Sequence, residues 1–200
     1  MSRSSIRAVL TAATVFLPTM AMAHPAHDQA FGFAHGFAHP MGGLDHILAM
    51  VMVGLLAAQI GGRAMWLVPA SFVAIMALGG GAGVAGIGMP FVEIGIALSV
   101  VVLGGIVAFR LATPVAVAMG LVGFFAVFHG YAHGAEMPGT AGGLAYGAGF
   151  VTATMLLHAL GIAGGLLLGR AGAKAHGATV VQSLGAAASL AGVGILAGII

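Results

Sequence analysis

The sequence predicts an all-α fold, a polytopic membrane bundle of about six transmembrane helices behind a signal peptide. Three observations predict it. First, 60% of the 200 residues are hydrophobic and only 5% are charged, with a mean hydropathy of +1.15. A water-soluble domain of this length needs far more charge to cover its surface. Second, the apolar residues fall in runs about 20 residues long, the length that spans the hydrocarbon core of a bilayer. Third, glycine occurs 35 times, and in lipid such abundance signals close helix packing. The pI near 9.7 rests on very few charges and implies no basic binding face, so nucleic acid is excluded as a partner. The absence of cysteine rules out disulfides, thiolate metal sites and a cysteine nucleophile.

The elements follow in order. Residues 1–23, MSRSSIRAVLTAATVFLPTMAMA, read as a secretory signal. Arg3 and Arg7 form its positive end, AVLTAATVFL its short apolar core, and Ala21-Met22-Ala23 an A-x-A cleavage site. A retained first helix is the alternative, against which Pro18 and the shortness of the core argue. Residues 24–200 then form a single transmembrane domain. Its apolar stretches lie at 40–60, 64–82, 91–109, 114–134, 142–168 and 179–199, joined by short links.

Cleavage would leave the mature N-terminus outside the inner membrane of a bacterium, in the periplasm. Counting inward, the links holding Arg63, Arg110, and Arg170 with Lys174 face the cytoplasm. These are all the basic residues beyond the signal, so the count agrees with the positive-inside rule. The same count puts all four acids and seven of the nine histidines towards the outer side. His158, deep in the fifth span, and His176, in a cytoplasmic turn, are the exceptions.

Charged groups within lipid are costly unless paired or facing a wet cavity, so they mark function. HPMGGLDH, residues 39–46, puts His39, Asp45 and His46 at the head of the first span. On one continuous helix His39 and His46 share a face, and Asp45 is placed to line a pocket or orient an imidazole. Asp45 and His46 are expected one to two turns into the span. FHGYAHGAEMP, residues 128–138, puts His129 and His133 four apart with Glu136 three further on, all on one face if the helix continues that far. HGFAH at 35–39 echoes HGYAH at 129–133. Glu93 opens the third span. Imidazole and carboxylate without thiolate suit Ni²⁺, Co²⁺ and Zn²⁺, and the spread over three spans suggests a site between helices.

The other histidines carry weaker signals. His24, His27 and His35 precede the first motif as accessory candidates for metal capture; His24 and His27, with Asp28, read equally as a polar tail. His158 reads as an inter-helix hydrogen bonder or as an accessory ligand further along a pathway, and His176 as a solvated turn residue. GAGVAG at 81–86 matches a nucleotide-loop pattern but follows no strand, so it carries no such site. The pairs Gly143/Gly147, Gly161/Gly165 and Gly194/Gly198 read as helix-packing faces.

HPMGGLDHILAMVMVGLLA resembles the signature of the HupE/UreJ family of bacterial nickel and cobalt permeases, and FHGYAHGAEMP resembles that family's second signature. The likeness extends over essentially the whole mature chain. It implies a secondary permease, not an enzyme, that takes Ni²⁺ or Co²⁺ as its transported substrate with no prosthetic group. By position it points to His39, Asp45, His46, His129, His133 and Glu136, and with thinner context to Glu93. Two other classes stay open on the residues alone. One is a membrane-embedded zinc- or iron-dependent metalloenzyme, and the other is a metal-binding sensor that does not transport.

Overall fold

The computed structural model describes residues 28–137, 142–171 and 177–200. The signal segment, His24, His27, Pro138, Lys174 and His176 lie outside the described residues. Helix α1 spans Asp28–Ala38, followed by a 3₁₀ turn at His39–Met41. Then come α2 (Leu44–Ile60), α3 (Ala64–Val84), α4 (Val92–Ala108), α5 (Val115–Ala135), α6 (Gly143–Ala171) and α7 (Gly177–Leu196). The described residues contain no strand.

Helices α2 to α7 fall on the six expected stretches. Four of them, α3, α5, α6 and α7, are long and apolar enough to cross a membrane by themselves. A fifth span results if the bent pair of α1 and α2 is counted as one. Helix α4, at 17 residues, rises about 26 Å at 1.5 Å per residue, the short end of the spanning range. In the four long helices only 17–39% of the most apolar window is buried. The rest of that apolar surface, including Leu78, Phe124, Leu144 and Leu160, faces outward, as a lipid-facing surface does.

Three expectations are corrected at the start of the fold. The first span does not begin at residue 40. The chain bends by 82° between the stretch ending at Met41 and the helix beginning at Leu44, so His39 and His46 share no helix face. The cause is local: Pro40 favours a tight first turn, and the Gly42-Gly43 pair that follows lets the backbone open, with Gly43 extended at φ −100° and ψ 119°. Asp45 and His46 consequently stand in the first turn of α2. The tract from Asp28 onward is helical and packs on α6.

The helices associate in tight pairs: α3 with α5, α4 with α7, and α2 with α6. Glycines set the approach. A Cβ on Gly130 or Gly134 of α5 would strike the carbonyls of Met76 and Gly80 of α3, and one on Gly83 would strike the Tyr131 carbonyl. Gly54 and Gly161 do the same between α2 and α6, each facing the other helix's backbone. Of the glycine pairs expected to pack, Gly161/Gly165 does so. Gly147 and Gly198 face open space and Gly194 meets only Ile200 of its own helix end, so those three correct the expectation. The spacing alone recurs too often in a glycine-rich chain to identify a packed face.

Candidate metal site

Four elements bring polar side chains to one end of the bundle. The 3₁₀ turn supplies His39, the first turn of α2 supplies Asp45 and His46, and the first turn of α4 supplies Glu93. The last turns of α5 supply His129 and His133, with Glu136 as its cap residue. All seven line a single cavity of about 330 Å³. The two H-G-aromatic-A-H motifs converge here by their final residues, since the His39 and His133 rings meet edge to face at 4.8 Å. Their first histidines part company. His129 is fully buried, whereas His35 is exposed and lies outside the cavity, against Tyr146 and His39.

The cavity has an exposed rim and a buried floor. At the rim His39 Nε2 lies 2.9 Å from Glu136 Oε2, which ties the 3₁₀ turn to the end of α5 across 97 positions. His133 Nδ1 is 3.8 Å from the same carboxylate oxygen. One ligand atom from each of His39, His133 and Glu136 falls within 4.8 Å of the others, close enough for one ion to reach all three. At the floor His46 Nδ1 lies 3.2 Å from His129 Nδ1 and 3.3 Å from His133 Nε2. His46 and His129 are 2% and 0% exposed.

Of the two places expected for Asp45, the structure puts it in the lining of the cavity. One Asp45 carboxylate oxygen accepts the backbone N–H of His46 at 2.6 Å, a first-turn N–H that has no acceptor inside the helix. Negative charge there also suits the positive end of the helix dipole. Gly43 makes room for it, because a Cβ on that residue would lie 2.7 Å from Asp45 Oδ1. Glu93 lines the cavity from α4 and is exposed. His158 does not reach the cavity. It is buried on α6 with its ring 5.2 Å from that of Phe72, and neither ring nitrogen has a hydrogen-bond partner.

Two residues here escaped the sequence reading. Ser99, fully buried on α4, lies 2.9 Å from His129 Nε2. Its signal was present: in α4, VEIGIALSVVVLGGIVA, it is the one hydroxyl in an apolar run. Phe72 of α3 contacts the rings of both His129, at 5.7 Å, and His158. A phenylalanine in an apolar helix gives no such signal.

The family model for HupE / UreJ protein matches residues 12–195. The chain belongs to the HupE/UreJ family. Protein HupE of Rhizobium leguminosarum bv. viciae is 46% identical over 189 residues, covering 94% of this chain and 96% of that protein. No solved structure matches the chain. This HupE/UreJ chain is thus a multi-pass helical membrane protein whose imidazoles and carboxylates gather at one end of the bundle.

Proposed function

We propose that this chain is a secondary permease that imports a divalent transition metal, Ni²⁺ or Co²⁺, across the bacterial inner membrane. One observation carries the reading: four histidines and three acids, from elements far apart in sequence, line one cavity at one end of an apolar bundle. Charged and ionisable groups at membrane depth are tolerated where an ion or water faces them. The donor set of imidazole and carboxylate suits borderline dications, and family membership points the same way.

In this reading the cavity opens to the periplasm, with the signal segment removed and residues 24–200 as the transport domain. The rim takes a hydrated ion through Glu136, Glu93 and His39. Asp45 adds negative charge, and the floor histidines replace further water. His158 lies further in, beyond Phe72, as an accessory residue, and His24, His27 and His35 raise local capture. The membrane potential suffices as a drive. At about 2.3 kcal/mol per charge per 100 mV, a dication gains about 4.6 kcal/mol, roughly a thousandfold accumulation.

The test is radiolabelled nickel uptake at submicromolar nickel in cells lacking other nickel importers, with cobalt and zinc as competitors. The intact chain is expected to accumulate nickel. His46→Ala, at matched membrane abundance, is expected to lose at least about tenfold, the low end for removing a group that supports metal binding. Absence of uptake by the inserted, intact chain would overturn the reading.

A further inference from the structure

The cavity does not present its donors evenly, and the hydrogen bonds at its floor show why. The Ser99 hydroxyl has one proton, and it donates that proton to the Ile96 carbonyl at 2.6 Å. Towards His129 it can therefore only accept, which places the His129 ring proton on Nε2. His129 Nδ1 is left as a bare lone pair, 3.2 Å from His46 Nδ1. His133 Nε2 approaches that same His46 atom at 3.3 Å. A single proton on His46 Nδ1 can serve only one of the two neighbours well, so the three nitrogens are not satisfied by hydrogen bonds among themselves. A cation beside His46 Nδ1 takes up lone pairs that no proton there can serve. Two metal–nitrogen bonds of about 2.1 Å, at angles between a right angle and the tetrahedral value, set their nitrogens about 3.0–3.4 Å apart, which matches both separations.

The rim triad uses different atoms. There Glu136 Oε2 faces His39 Nε2 at 2.9 Å and His133 Nδ1 at 3.8 Å. His133 Nδ1 is buried with no hydrogen-bond partner of its own. His133 thus presents one nitrogen to the rim and the other to the floor.

We infer that the cavity holds two metal stations in series that share His133. The outer station is His39, Glu136 and His133 through Nδ1; the inner one is His46 Nδ1, His129 Nδ1 and His133 Nε2, with Ser99 as the positioning residue that aims His129. The inference rests on the metal-transport reading above. A neutral imidazole has one lone pair, so His133 serves one station at a time and the stations exclude each other. The outer set contains a carboxylate and accepts hydrated ions broadly. The inner set is all nitrogen, which favours nickel and cobalt over manganese or magnesium. The outer station admits, and the inner one discriminates.

The test uses the full chain in lipid nanodiscs with Co²⁺ as the probe, read by equilibrium dialysis and by the visible absorption of the bound ion. The intact chain is expected to saturate at one ion in this cavity. Glu136→Gln is expected to keep an ion with an all-nitrogen spectrum. Ser99→Ala is expected to weaken that component by about ten- to a hundredfold, the usual cost of removing a group that orients a ligand, and to shift the spectrum towards mixed nitrogen and oxygen. Ser99→Thr keeps the hydroxyl and is expected to keep the intact spectrum, which separates aiming from packing. His133→Ala is expected to lose both components. Ser99→Ala and His129→Ala that bind Co²⁺ with unchanged affinity and spectrum would overturn the two stations while leaving metal binding intact. Two ions held at once by the intact chain and both lost in His133→Ala would overturn the sharing of His133. An intact chain that binds no Co²⁺ would overturn the transport reading together with this one.

Discussion

Asp45 serves a helix and a cavity with one carboxylate. One of its oxygens holds the backbone N–H of His46, and the side chain also lines the cavity. An alanine there would remove both roles, since losing the hydrogen bond to the His46 N–H costs about 1 kcal/mol and the negative charge goes with it. Asp45→Asn separates them. Its amide oxygen still accepts the His46 N–H, so the start of α2 and the position of His46 are retained, but the charge that attracts a dication is gone. The expected outcome is wild-type abundance and thermal stability with nickel uptake reduced at least about tenfold. Uptake near the intact level would reduce Asp45 to that hydrogen bond. The sequence pairs Asp45 with His46 as neighbours, and it was natural to expect contact between side chains. The bond runs instead to the backbone, because an aspartate in the first turn lies beside an N–H that has no partner inside the helix.

At the scale of elements, glycine decides how closely α3 and α5 approach, and so where His129 and His133 stand. Gly130 separates these two histidines' turns and faces the Met76 carbonyl. Gly130→Ala is expected to force the helices apart at a cost of about 1–3 kcal/mol, typical of overpacking. Gly120→Ala, on the same helix with open space at its Cβ position, is expected to be neutral or slightly stabilising. Thermal unfolding in detergent checks both, and equal effects would remove the packing argument. The existence of α2 to α7 was legible because a bilayer demands unbroken apolar runs of a set length. Which helices pair was not, since lipid and neighbouring helix are equally apolar. The bend at Gly42-Gly43 was missed for a related reason: hydropathy runs on through it, and only the backbone freedom of two glycines marks it.

Across the described residues the acids of the cavity and the arginines of the turns lie at opposite ends. The cavity lies where α2 and α4 begin and α5 finishes, while Arg63 and Arg110 occupy the turns at the opposite ends of these helices. The residues lining the cavity were legible as candidates because a chain with 5% charge leaves few places for them. Their division into rim and floor was not, because it depends on the depth at which α4 sets Ser99 against α5. The same division makes orientation testable, and the chain has no cysteine to interfere. Gly88, exposed in the turn between α3 and α4, lies at the cavity end. Ala112, exposed between α4 and α5, lies at the arginine end. In intact spheroplasts, Gly88→Cys is expected to react with a membrane-impermeant maleimide, and Ala112→Cys only after lysis. The positive-inside rule requires this order, as does an importer whose ligands face the supply of metal. The reverse order would turn the cavity towards the cytoplasm and overturn capture of the ion from the periplasmic side.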